Sequence, residues 1–296
     1  MALRDWLLIV LLGAIWGTSF LFNSVLLQEI GPLWVSSGRV GFGALGCWVF
    51  FLALKKQLPT NKTLYIHFVI LGSITYAIPF TLFPLAQQNL TSGVTAIINA
   101  MTPIMTVLVS QFWPGGERAS RRKIAGVIAG FLGVAVLASP ALSSGGSSQI
   151  WAVGLGLLAT SCYAIGLNYT RSLGNQDASV LAACALTGAT LVAVPVAFFV
   201  EGPPMLTSVE GWGAMMGISL VATAFALQIM YRILPRVGAT NFTVTTFIAP
   251  VFAIMLGIKL LGEAILLTHI IGMAGIFAGL LLLDGRLLCK LAKFRA

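Results

Sequence analysis

Two prolines, Pro103 and Pro250, stand near the middle of two long apolar runs. A proline inside a helix cannot donate to the carbonyl four residues back. The carbonyls of Asn99 and Thr246 are therefore left over, and in hydrocarbon each must find a neighbour, water or ligand. Polar side chains recur beside both prolines. Thr95, Asn99, Thr102 and Thr106 fall at helical spacing on one stripe, and Thr243 and Thr246 precede Pro250 in the same relation. Other apolar runs add Trp16, Ser19 and Asn23, then Tyr76, Phe80 and Phe83 around Pro79 and Pro84, then Tyr163, and finally Phe225 and Gln228. Aromatic area with neutral hydroxyls and amides suits reversible binding of a small solute of low net charge, such as a zwitterion. The competing reading makes the same polar groups hydrogen-bonding glue between membrane helices and the prolines simple kinks. As a set they predict a solute cavity, with Pro79, Pro84, Pro103 and Pro250 as hinges or helix breaks.

Arg39 is the one basic residue well inside an apolar run. A charge at that depth is costly and marks function by default. Two roles stay open: attracting a substrate carboxylate, or bonding to carbonyls at a helix end to fix packing. Its place, about two turns from one end of its run, also puts Glu29 within conceivable reach.

Covalent catalysis has no support. His67 and His269 lie at span ends on opposite sides of the membrane, and neither clusters with the four cysteines in a ligand-like pattern. No metal site, cofactor site or nucleophile–base pair is expected, which argues against a lipid-modifying enzyme. No Asp or Glu lies deep in any apolar run, so a carboxylate proton relay is not expected either.

These residues need elements to hold them. The chain has 296 residues, 58% hydrophobic and 8% charged, against roughly a quarter charged in soluble domains. Mean hydropathy is +0.98. A helix crossing the bilayer needs roughly 20 apolar residues. Ten runs qualify, at 6–27, 32–54, 64–86, 92–112, 122–139, 150–170, 178–200, 211–231, 239–258 and 265–285. The first reads as a span, not a cleavable leader. With the N-terminus in the cytoplasm, 15 of the 17 basic residues fall in cytoplasmic segments; Arg39 and Lys259 are the exceptions. That bias predicts ten spans with both ends cytoplasmic. Scattered over loops, these charges form no nucleic-acid face.

The halves resemble each other at an offset near 147. Pro103 matches Pro250, Gly116-Glu117 matches Gly262-Glu263, Gly126 matches Gly272, Gly41 matches Gly188, and Trp16 matches Tyr163. Five spans per half means the second copy enters from the other side. The expectation is an all-α integral membrane protein of ten helices in two inverted five-helix repeats, 1–145 and 146–296, around a central cavity. Such a duplication underlies alternating access and suits a carrier better than a channel. Glu117 and Glu263 read as acidic helix starts, as partners of Arg118 and Lys259, or as gate residues. Gly126-x-x-x-Gly130 and Gly275-x-x-x-Gly279 read as helix packing or dimer contacts, leaving monomer and homodimer open.

The ten-span duplication, Gly13-Ala14-Ile15-Trp16-Gly17, Arg39, and the string Pro103, Gly116-Glu117, Gly126 with its copy together resemble the drug/metabolite transporter superfamily in its EamA-type branch. The likeness is strongest to bacterial exporters of aromatic amino acids. It implies a bacterial inner-membrane exporter without cofactors, whose partners are a small-molecule solute, expected to be an amino acid, and the lipid bilayer.

Overall fold

The computed structural model describes residues 2–284 apart from Glu117, Ser144, Gly145, Asn175 and Thr243. Thr243 and Glu117 are thus outside the described residues, as are Cys289 and the basic residues Arg286, Lys290, Lys293 and Arg295. The chain is all-helical across ten apolar segments: α1 (Leu3–Leu26), α2 (Pro32–Ala53), α3 (Thr63–Gln87), α4 (Ser92–Phe112), α5 (Arg121–Ser143), α6 (Ser147–Ser172), α7 (Ala178–Glu201), α8 (starting at Val209), α9 (Val244–Leu261) and α10 (Leu267–Asp284). Each apolar run becomes a helix because hydrocarbon leaves backbone groups no partner outside their own segment. Local signals set the ends. Pro32 opens α2, where its missing N–H costs nothing. Thr91, Asp177 and Ser208 accept hydrogen bonds from the first turns of α4, α7 and α8. Gly238, at φ 76°, kinks the last turns of α8.

Helix pairing obeys the exchange of halves. α5 packs on α10, α2 on α7, and the first part of α4 on α9, each helix meeting its own counterpart. α1 meets α9 as α6 meets α4, and α3 meets α7 as α8 meets α2. This pairing is that of two inverted five-helix repeats. Glycine makes the closest approaches possible. A Cβ on Gly17 would lie 2.6 Å from the Ala249 carbonyl oxygen of α9, and one on Gly126 would lie 2.7 Å from that of Gly279 on α10. The two small-residue motifs of α5 and α10 therefore pack against each other within one chain, which explains them without a dimer.

Three helices depart from regular geometry, and all three matter to the site. α4 is two helices, Ser92–Asn99 and Thr102–Phe112, separated by a turn just before Pro103. α3 contains a π-helical segment, Ser73–Ala77, between Thr63–Gly72 and Ile78–Gln87. α8 contains another, Gly217–Phe225, between Val209–Met216 and Ala226–Phe242. The two π segments occupy corresponding positions in the two repeats. α9 runs unbroken through Pro250.

The two ends of the bundle differ in charge chemistry. At the end holding the N-terminus, Lys56 pairs with Asp177 at 2.7 Å and Arg236 with Asp5 at 3.2 Å. At the other end, carboxylates clamp helix starts. Glu201 accepts from Leu33 N and Trp34 N of α2, at 3.0 and 3.1 Å. Glu263 accepts from Ser92 N, Ser92 Oγ and Gly93 N of α4, at 2.6, 2.9 and 3.2 Å. Glu29 accepts from Thr207 N, Ser208 N and both side-chain hydroxyls ahead of α8. Glu263 therefore neither starts its own helix nor pairs with Lys259; it caps α4 in the other repeat.

Candidate solute site between the repeats

Arg39 projects from α2 into the bundle and is 9% exposed. Its Nε donates to Thr223 Oγ1 at 3.0 Å, and Nη2 to Ser19 Oγ at 3.4 Å. The guanidinium carbon lies 3.7 Å from the centre of the Phe80 ring, a cation–π contact. Thr223 can accept because its own proton goes to the Ile218 carbonyl at 2.8 Å, a five-residue step supplied by the π segment of α8. One turn before Arg39 on α2, Ser36 Oγ donates to the Ala77 carbonyl at the end of the π segment of α3, itself one turn before Phe80. Both π segments thus converge on the arginine. Such wide turns are common at functional sites because they displace a side chain from the regular stripe.

This geometry corrects two expectations for Arg39. It bonds hydroxyls, not carbonyls at a helix end, and Glu29 is committed to the start of α8. Among the described residues no carboxylate partners Arg39. A guanidinium has five N–H donors, and only two hydrogen bonds to described residues use them.

Around this cation stands an aromatic group. Phe80 contacts Tyr76 and Tyr163 at ring separations of 5.7 and 6.5 Å; Phe83 contacts Tyr163 and Phe20 at 5.9 Å each. Phe20, Phe80 and Phe83 are buried, while Tyr76 and Tyr163 keep part of their surface. Pro79 and Pro84 bracket this stretch and are helical. Ala96, one turn before Asn99, packs on the same cluster. Asn23 donates to Gln87 Oε1 at 2.9 Å, while Gln87 Nε2 reaches the Phe20 carbonyl and Ser24 Oγ. Asn23 Oδ1 is buried without a partner among the described residues.

The sequence-selected residues separate accordingly. Ser19, Arg39, Tyr76, Phe80, Phe83 and Tyr163 come together, and Asn23 lies one turn beyond Ser19. Trp16 instead packs edge-on to Phe242 at 6.0 Å, in the cluster joining α1 to α8 and α9. Thr95 is fully buried, its hydroxyl bonded to the Thr91 carbonyl of its own helix. Gln228 is buried and accepts from Ser179 Oγ of α7 at 3.4 Å. Phe225 points outward and is 43% exposed. The Asn99 carbonyl freed by Pro103 is not bare: Thr102 Oγ1 donates to it at 2.8 Å. The side chain that follows the break directly, three residues past Asn99, does the work assigned to solvent or ligand. Thr246 is half-buried on α9, and Pro250 is buried there.

Sequence reasoning missed Thr223, Phe20, Gln87 and both π segments. The π segment of α3 has a cue in Pro79, which denies a partner to the Thr75 carbonyl. That of α8 has no proline; its one cue is Gly217 at its start, as Gly72 directly precedes the segment of α3.

The family model of the EamA-like transporter family matches twice, over residues 5–139 and 150–283. The chain belongs to the EamA-like transporter family. It is 22% identical to an "uncharacterized transporter" of Archaeoglobus fulgidus, covering 94% of this chain and 98% of the relative. Protein PecM of Dickeya dadantii is 23% identical, with 91% and 89% covered. The "uncharacterized inner membrane transporter YedA" of Escherichia coli K12 is also 23% identical, with 85% and 81% covered. A solved crystal structure superposes with a TM-score of 0.68 at 18% identity, over 96% of this chain and 99% of that one, and speaks for the fold alone.

This EamA-like protein is therefore an integral membrane transporter, not an enzyme. The two family matches meet its two five-helix halves, and the site around Arg39 draws on both: Ser19, Arg39 and Phe80 from the first, Tyr163 and Thr223 from the second. Among the described residues no His, Cys, Asp and Glu cluster could hold a metal ion.

Proposed function

We propose that this transporter exports small amphipathic solutes carrying a carboxylate, with aromatic and apolar amino acids the best fit. The observation that carries the reading is the buried Arg39 guanidinium, which faces hydroxyls and aromatic rings and, among the described residues, no acidic side chain. A buried cation without a counter-ion is costly, and a carboxylate is the planar acceptor that matches its fork. Phe80, Phe83, Tyr76 and Tyr163 supply apolar area for the side chain of the solute. Ser19 and Asn23 supply neutral hydrogen bonds beside it, and Asn23 Oδ1 is an acceptor for an ammonium.

The transport step is alternating access between halves 1–145 and 146–296. The broken α4 and the π segments of α3 and α8 supply the hinges, because wide or interrupted turns rearrange at small cost. The described acidic residues sit at helix ends or in loops, so solute moves down its own gradient without a carboxylate proton cycle. Both termini face the cytoplasm of a bacterial inner membrane, in line with the basic bias of that end.

The test is counter-flow in proteoliposomes with radiolabelled amino acids. Phenylalanine and tyrosine on the trans side are expected to stimulate uptake, and the matching amines, which lack the carboxylate, are not. Equal stimulation by the amines would remove Arg39 as the carboxylate receptor. Uptake abolished by an uncoupler would overturn the uncoupled mechanism, and uptake without trans-stimulation would identify a channel. Tags accessible on opposite membrane faces would refute the orientation.

A further inference from the structure

A second feature lies on the outer wall of the bundle, between α1 and α8 at the end holding the N-terminus. A groove of about 370 Å³ is lined by Arg4, Leu8 and Leu11 of α1 and by Phe225, Ile229, Arg232 and Arg236 of α8. The spacing is informative. Arg4, Leu8 and Leu11 are separated by four and three residues; Phe225, Ile229, Arg232 and Arg236 by four, three and four. Each set is one stripe on its helix, and the two stripes share one groove. Both stripes run from charged at the bundle end to apolar toward mid-depth.

The groove opens sideways. Leu11 is 44% exposed and Phe225 43% exposed, so the apolar part faces acyl chains. Trp6, on α1 beside Arg4, is 43% exposed. An exposed tryptophan at a helix end marks headgroup depth, so the arginines stand at the level of lipid phosphates. Arg236 is paired with Asp5 at 3.2 Å. Arg4 and Arg232 are exposed and have no acidic partner among the described residues. The groove thus carries a net excess of two positive charges above an apolar floor.

We propose that this groove is a binding site for one anionic glycerophospholipid of the leaflet at the basic end. Arg4 and Arg232 take the phosphate, with Arg236 beside them, and an acyl chain lies along Leu8, Leu11, Phe225 and Ile229. Basic pockets between membrane helices select anionic headgroups by this division of labour. A topogenic role alone requires the arginines to be near the membrane end, not aligned over one apolar groove. The occupant would bridge α1 to α8, the helix that carries Thr223, and so stabilise the outer wall of the site around Arg39. The proposal is independent of which solute is carried.

The test uses the full-length protein, delipidated in detergent. Native mass spectra are recorded with dioleoyl phosphatidylglycerol or dioleoyl phosphatidylcholine, and thermal unfolding with each lipid and with inorganic phosphate. Phosphatidylglycerol is expected to remain as an adduct and to raise the unfolding temperature above that in phosphatidylcholine. In R4Q/R232Q the adduct is expected to weaken about tenfold or more, while unfolding in phosphatidylcholine stays as in the parent. The double variant R4K/R232K keeps the charge and is expected to retain most of the adduct. Equal retention of both lipids by the parent, or undiminished phosphatidylglycerol on R4Q/R232Q, would overturn the proposal. Phosphate reproducing the full shift would make this a free-anion site, which also overturns it.

Discussion

The fourth helix of each repeat carries a proline at the matching position, yet the two helices are built differently. At Pro103, α4 separates into Ser92–Asn99 and Thr102–Phe112, and Thr102 repairs the freed carbonyl. At Pro250, α9 stays continuous from Val244 to Leu261. The same residue at the same depth therefore does not dictate the same backbone. The surroundings differ. The start of α4 is held by Glu263 from the other repeat, and Ser92–Ile98 are buried on all sides. Much of α9 faces outward: Val251, Met255 and Ile258 are exposed. Where neighbours grip both parts of a helix, a break is tolerated because its polar groups find partners; on a lipid-facing helix a regular backbone is the safer arrangement. The chemistry divides similarly. Arg39 has its counterpart near Leu186, fully buried in the core, and Trp16 packs on Phe242 while its counterpart Tyr163 joins the aromatic group. Duplication kept the scaffold, and the departures from symmetry fall at the candidate site.

The largest effect expected from breaking this asymmetry is at Arg39. R39M removes the buried cation but keeps an apolar stem, so transport should fall more than about tenfold while thermal stability holds or rises. L186M on the mirror side is a volume-conserving change and should leave both within about 1.5 kcal/mol. Proteoliposome uptake and detergent melting of the pair measure this contrast; an R39M protein that fails to insert would make the arginine structural. Next in size are the prolines. P103A should slow uptake several-fold by healing the break in α4, whereas P250A should leave uptake near the parent and raise stability. Equal effects would mean the two prolines share a role. T102V leaves the Asn99 carbonyl without its donor and should cost roughly 1–3 kcal/mol of stability, read by melting against T106V, whose hydroxyl bonds a carbonyl of a regular helix.

The smallest effect lies at the end clamped by carboxylates. Hydrogen bonds from Ser208 and Thr207 hold the Glu29 carboxyl down to about 2, from an ordinary carboxylate value of 4.5. A depressed folded-state value gives stability that is complete above the unfolded value and fades as the pH drops from about 4.5 toward 2. Melting temperature should decline over that interval, and E29Q should flatten the decline. An unchanged slope in E29Q would assign it to another acid. At the other end Asp177 is also lowered: burial opposes its ionisation, but Lys56 and the amides of Ser179 and Val180 outweigh it.

Much of this molecule was legible in its sequence. Apolar runs of span length fixed the number of helices, because the bilayer admits few alternatives for an unpaired backbone. Spaced matches such as Pro103 with Pro250 exposed the duplication, and five spans per copy made it inverted. Ser19, Arg39, Tyr76, Phe80, Phe83 and Tyr163, all selected from the sequence because polar and aromatic side chains at that depth need a reason, lie together in the bundle. Tertiary structure alone decided how they meet. It turned Trp16, Thr95 and Gln228 to packing and Phe225 to the outer wall, since a residue type carries no statement of which neighbour its face will touch. It also selected Thr102 as the partner of the Asn99 carbonyl, and Glu263 as the cap of a helix some 170 residues away in the chain. The π segment of α8 that brings Thr223 to Arg39 left almost no local trace. A wide turn is stabilised by what packs against it, and those contacts come from helices distant in sequence.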